Sequence, residues 1–219
     1  FIDFLIVVVG VFIGIQVANW NEERYVAKTE KVILQRLADE MKVIDIEFRV
    51  DLVGYSQTQK ATGELIDALR HGQEPTDKVK FKEILSQANY YYYIPSLSAI
   101  YSEMVATGAL KNISNNELRS ALQRYGDIHQ RYMSTYANAL NTLLKPDSNY
   151  FKAVEWSTNP NEWVDAETAI VAYNWDILIG SKAELQSWLS YQADGLDHIE
   201  AMHKEIVLIN ELLNKENKK

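Results

Sequence analysis

The sequence predicts an all-α fold: an N-terminal transmembrane helix that continues into an irregular bundle of about four to six helices. Three observations carry that prediction. Residues 4–18, FLIVVVGVFIGIQVA, contain no charge and a single polar side chain, Gln16. Proline and glycine are scarce, at 4 and 9 of 219 residues, as in chains built from long helices. Behind the apolar stretch, apolar residues return at every third or fourth position in segment after segment, which is the helical period.

The apolar stretch, flanked by Phe1, Ile2 and Trp20, is near the lower limit for a bilayer span, about 17–20 residues. The chain opens at Phe1 rather than methionine, so the hydrophobic run is expected to extend upstream. The alternative is a buried core helix, but valine and isoleucine on every side of the helix argue against it. The anchor is therefore assigned to residues 1–20 and a soluble helical domain to residues 21–219. Trp20 is expected at the headgroup level, where tryptophan prefers to sit. Gly10, Gly14 and Ala18 recur at four-residue spacing. Such a stripe lets a second helix backbone approach closely in lipid, from another copy of the chain or from a membrane-complex subunit. Asp3 falls on roughly the same face, at the end of the span. Residues 21–40 mix basic and acidic side chains, so charge does not fix the orientation.

No proline occurs before Pro75, so the anchor can run without a break into a long helix. Ile33, Leu37, Met41, Ile44, Phe48 and Leu52 form its inner face. Val43, Ile46, Val50 and Val53 add a second apolar face, which is expected to be buried among other helices. Gly54 is a weak point, and the helical pattern ends near His71-Gly72. A loop through Pro75 leads to a short helix over 77–88. The run Tyr90-Tyr91-Tyr92-Tyr93 follows, and Pro95 opens a helix with Leu97, Ile100, Met104 and Val105 inside and Gly108 as its stop. Ser114-Asn115-Asn116-Glu117 has capping-box spacing. From it runs the clearest amphipathic segment, with Leu118, Leu122, Tyr125, His129, Tyr132, Tyr136, Leu140 and Leu143 on one face, ended by Pro146. Residues 147–162 read as an irregular connection, and a short helix is expected over 166–179. A second capping-box pattern, Ser181 to Glu184, opens the last helix. Its inner face carries Leu185, Trp188, Gln192, Leu196, Ile199, Met202, Ile206, Ile209 and Leu213. No pair of strands is predicted.

The net charge of −8 repels phosphate backbones. Only one charged residue, Asp3, lies in the first 20, so the acidic excess belongs to the helical domain and nucleic acid is not an expected partner. The absence of cysteine excludes disulfides, thiolate metal sites and thiol catalysis.

The segment from Gly10 to Arg24, GVFIGIQVANWNEER, resembles the start of an uncharacterised family of bacterial membrane proteins, a domain of unknown function. There a glycine-bearing membrane helix ends in a nearly fixed Asn-Trp-Asn-Glu. Residues 100–125, IYSEMVATGALKNISNNELRSALQRY, resemble the same family through a Thr-Gly-x-Leu turn and an Asn-x-Glu-Leu helix start. The resemblance implies a single-pass inner-membrane protein whose helical domain lies outside the cytoplasm. It implies no activity and no functional residues, and residues 147–179 depart from the family pattern.

No catalytic or cofactor site is expected. Glu200 and His203 have the Glu-x-x-His spacing of di-iron bundles, but such a site needs a second copy and further glutamates. His198 and His203 are five apart, poor spacing for shared zinc on one helix. His129, on the inward stripe, reads as a hydrogen-bonded core histidine. The tyrosines and tryptophans suit ordinary helix packing, an interface or a ligand pocket, with Tyr90, Tyr91, Tyr92 and Tyr93 as candidate interface aromatics because four in a row cannot all face one core. The leading expectation is a membrane-anchored interaction or assembly subunit, in contact with the bilayer and another membrane helix. The alternative is an extracytoplasmic ligand-binding or sensory module with an aromatic-lined pocket.

Overall fold

A computed structural model describes residues 2–88, 97–143 and 147–218, with the side chains of 2–8, 140–143, Val164 and Ala166 outside that description. The chain is mostly helical. α1 runs unbroken from Ile2 to His71, about 105 Å at 1.5 Å per residue. Its length follows from the sequence: no proline interrupts it, and Gly54 and Gly63 are tolerated within it. It stops where Gly72 adopts φ 73°, the left-handed conformation that glycine takes without a Cβ penalty. α2 (Lys78–Ala88), α3 (Ala99–Thr107) and α4 (Asn116–Leu143) follow, with a 3-10 turn over Ala109–Asn112 before α4. Gly108, at φ 71°, ends α3 as expected.

The expected connection over 147–162 and helix over 166–179 are both corrected. The region holds α5 (Asn149–Ala153), β1 (Val154–Trp156), a 3-10 turn (Pro160–Val164), α6 (Ala166–Ala169), β2 (Ile170–Tyr173) and α7 (Trp175–Ile179). β1 and β2 pair antiparallel, Val154 with Tyr173 and Glu155 with Ala172, with an irregularity before Trp156. The pair was not legible because each strand is only three or four residues long. The chemistry fits it afterwards, since Ile170-Val171-Ala172-Tyr173 is rich in β-branched and aromatic side chains. Asn174 then caps α7 by accepting from the Ile177 amide, which breaks any helix running through. Eight α-helices are therefore present among the described residues, more than the four to six expected, because several are single-turn pieces.

α8 (Lys182–Glu216) runs antiparallel to α1 and α4. The cross-links between these helices fix that direction. The Asn210 side-chain amide donates to the Met41 carbonyl at 3.3 Å, and His203 Nε2 meets Asp45 Oδ1 at 2.8 Å. Arg124 grips Glu205 with two hydrogen bonds of 2.8 and 3.0 Å, and Asn115 donates to Glu216 at 2.8 Å. Between them lies the larger apolar cluster, with Leu37, Met41, Ile44 and Phe48 of α1, Leu118, Leu122 and Tyr125 of α4, and Ile199, Met202, Ile206 and Ile209 of α8. A second cluster caps the far end of α1, where Leu65, Ile66 and Leu69 meet Phe81 and Leu85 of α2, Tyr150, Val154, Ile170, Leu178 and Leu185.

The capping predictions are half right. The bases of α4 and α8 lie where Ser114 and Ser181 place them, but neither serine caps its helix. Asn115 caps α4, accepting from the Glu117 and Leu118 amides. Ser114 is taken instead by Glu30, which accepts from both its amide and its hydroxyl at 2.7 Å. Ser181 donates its hydroxyl to the Leu178 carbonyl, and Glu184 reaches away to the Asn149 and Tyr150 amides at the start of α5. Carboxylates on the long helices thus hold the short ones by their N-terminal amides, where negative charge is favoured.

Candidate functional site

Among the described residues no helix is long and apolar enough to cross a membrane. The expected span, 4–18, begins in residues whose side chains are not described. From Val9 onward α1 projects beyond the bundle with every residue exposed as far as Thr29. Val11, Phe12, Ile13 and Ile15 are 53–62% exposed. Among the described residues nothing lies within 4 Å of where a Cβ of Gly10 or Gly14 would stand, and Ala18 is likewise exposed. Trp20 is exposed, with the Arg24 guanidinium 4.8 Å from its ring centroid, a cation–π contact. The candidate aromatics Tyr90, Tyr91, Tyr92 and Tyr93 lie outside the described residues, as does Pro95.

The second apolar face of α1 is a correction. Val43, Ile46, Val50 and Val53 are not buried among helices but 55–67% exposed. The reason is geometric: α3, α4 and α8 all gather on the arc of Leu34, Leu37, Met41, Ile44 and Phe48, and the arc opposite faces solvent. Lys42 and Arg49 border this outer stripe, held within the helix by Asp39 at 3.4 Å and Asp45 at 2.9 Å.

A second feature lies where the two apolar clusters meet. Tyr55, Thr58, Tyr132, Tyr136, Trp188, Tyr191, Gln192 and Gly195 surround a cavity of about 30 Å³, space for one or two water molecules. Gln192 is 3% exposed, and among the described residues neither atom of its amide has a hydrogen-bond partner, nor has the buried Thr58 hydroxyl. Gly195 makes room for the Tyr55 ring, since a Cβ there would lie 3.0 Å from Tyr55 Cζ and closer still to the hydroxyl. Burial pushes the Tyr55 hydroxyl up to about 12 and the Tyr132 hydroxyl up further. The two hydroxyls influence each other, although that of Tyr132 meets no hydrogen-bond geometry. The two hydroxyls are thus neutral throughout the physiological range, and the layer can bind through hydrogen bonds and ring faces. Replacing Gln192 by leucine is expected to leave unfolding stability unchanged or raise it by about 1 kcal/mol, because it removes two unpaired buried groups. A loss above about 2 kcal/mol in chemical denaturation would show that the amide is paired in solution.

Sequence reasoning placed Gln192, Tyr132 and Tyr136 on inward faces but not together. The available signal was a polar residue at an apolar-periodic position, as at Gln192 and at Thr58. A separate groove of about 170 Å³, lined by Tyr25, Val26, Ile33, Leu34, Met104 and Ile113, opens beside α1 two turns or so beyond Trp20.

His129 is half-buried on α4. His203 is engaged by Asp45, whose carboxyl, raised by burial, is lowered overall by its bonds to Arg49 and His203. Glu200 is exposed, and among the described residues no three His, Asp or Glu side chains gather as metal ligands. A family model, that of a family of unknown function (DUF6090), matches residues 3–170. No curated protein and no solved structure matches the chain.

Proposed function

We propose, from the premise that the chain belongs to the DUF6090 family and that this membership assigns no activity, that the protein is a membrane-anchored interaction or assembly subunit. α1 serves as both anchor and docking element, and the bundle stands at the bilayer surface. The observation that carries the reading is the projecting segment Val9–Ala18, uncharged, apolar but for Gln16, and touched among the described residues by nothing from the bundle. An exposed apolar surface of that extent is stable in lipid or against a partner, not in water. Trp20, with Arg24 over its ring, supports a boundary at that level. The resemblance at residues 10–24 supports a single pass through a bacterial inner membrane with the bundle in the periplasm.

The untreated chain is expected to sediment with membranes after cell breakage, to resist alkaline extraction and to dissolve in detergent. Recovery in the supernatant would refute the anchor. Gly10→Ile combined with Gly14→Ile is expected to break up a detergent-stable complex, and unchanged complex size would remove those glycines from the interface.

A second reading, a ligand-binding or sensory module, is favoured by one observation: the Tyr- and Trp-lined cavity with its unpartnered Gln192 amide. Its small volume restricts it to water-sized occupants, so the interaction role is the better supported of the two.

A further inference from the structure

The outer stripe of α1 has a pattern that selects its partner. Val43, Ile46, Val50 and Val53 step by three, four and three, the a and d spacing of a coiled-coil seam. All four are exposed, and among the described residues nothing covers them. Arg36 and Asp39 interrupt the stripe on one side, and Gln57 and Lys60 end it on the other.

The flanking charges choose between the two possible directions. With Val43 and Val50 at a, the preceding g positions are Lys42 and Arg49, and the e position after Ile46 is Glu47. In a parallel pair, g of one helix faces e of the other five residues on. Lys42 of one copy then meets Glu47 of its partner, twice over by symmetry. In an antiparallel pair g faces g, which sets Lys42 and Arg49 against their own kind. Glu47 has the Asp51 carboxylate one turn away on the same flank, which adds negative charge where the cation would arrive.

The stripe is also in phase with the glycines. Gly10 and Ile46, Gly14 and Val50, and Val17 and Val53 are each 36 positions apart, about ten full turns at 3.6 residues per turn. Val32, 54% exposed, stands on the same side between them.

We infer that this chain pairs with a second copy of itself, in parallel and about a two-fold axis along α1, through a seam of Val43, Ile46, Val50 and Val53 flanked by Lys42–Glu47 ion pairs. The inference rests on the anchored reading for its strength. Four seam residues are a short interface, and confinement of the helices side by side in a membrane supplies the effective concentration that makes it sufficient.

The chain has no cysteine, so a single introduced one reports a single position. Full-length V43C, I46C, V50C and V53C, oxidised mildly in their native membranes, are expected to form disulfide-linked dimers roughly tenfold more than S56C or K204C, which are exposed off the stripe. Like-to-like linkage at all four positions requires a parallel pair. K42E or E47K alone is expected to reduce I46C cross-linking roughly three- to tenfold, the scale of exposed ion pairs made repulsive, and K42E with E47K to restore it. No seam preference in a chain that sediments with membranes would overturn the pairing and leave the anchor standing. Seam cross-links in a chain that stays in the supernatant would keep the pairing and remove the anchor. Linkage only to a different, larger protein, or no rescue by the double reversal, would overturn self-pairing in this register.

Discussion

Phe48→Ala is expected to lower the unfolding free energy by about 3–5 kcal/mol, while Val50→Ala, two positions along the same helix, changes it by less than about 0.5 kcal/mol. Phe48 is 1% exposed and belongs to the larger apolar cluster that α1 shares with α4 and α8. Its removal forfeits the transfer free energy of a ring and leaves a cavity that helices pinned by the Asp45–His203 and Arg124–Glu205 contacts cannot easily collapse. Val50 is 67% exposed and its loss uncovers nothing. The check is denaturant unfolding of both variants in the same detergent, below the concentration at which copies associate. Equal losses would mean that the outer stripe is covered in the folded monomer and that α1 has no free face.

Glu40→Ala is expected to cost about 2–3 kcal/mol, large for a half-buried polar residue. Glu40 accepts three hydrogen bonds at the start of α3: from the Ser98 hydroxyl at 2.6 Å, the Ala99 amide at 2.8 Å and the Ile100 amide at 3.0 Å. Ser98 is fully buried and also accepts from the Tyr101 amide at 3.0 Å, so it cannot turn to water once Glu40 is gone. Burial alone would raise the Glu40 pKa, but the bonds from Ser98, Ile100 and Ala99 and the nearby Arg36 outweigh it and hold the carboxyl below its ordinary value. A carboxylate with a depressed folded pKa stabilises fully above its unfolded value, and the contribution is lost as the pH falls through the folded one. Thermal unfolding of wild type should therefore weaken below the ordinary carboxylate range, whereas Glu40→Gln should start lower at neutral pH and fall less on acidification. Parallel pH curves for the two proteins would show that Glu40 carries no such charge-dependent contact.

The long helices were legible because each repeats one signal many times. The inward residues Leu118, Leu122, Tyr125 and Tyr132 of α4, and Ile199, Met202, Ile206 and Ile209 of α8, were read from period alone and are buried. The glycine stops at Gly72 and Gly108 were read from local conformational demand, which needs no neighbour. The β1–β2 pair was not legible, since three or four residues carry no period and pairing partners are chosen by contact. Nor were the caps that Glu30, Glu40 and Glu184 supply, because their serine and amide partners lie 84, 58 and 35 positions away. A serine three residues before a glutamate has the right spacing for a box at both Ser114 and Ser181, yet a carboxylate from another element reaches Ser114 first.

By itself, then, the amino-acid order determined that this protein is mostly helical, where its long helices stop, and which arc of each is apolar, because those properties are local and periodic. Only the tertiary structure decided which of the two apolar arcs of α1 is spent on the core. Leu37, Met41 and Phe48 look no more suited to burial than Val43, Ile46 and Val50 until α4 and α8 take one side. Helix packing leaves the other arc in solvent because two long helices and a few short ones cannot surround a helix of this length.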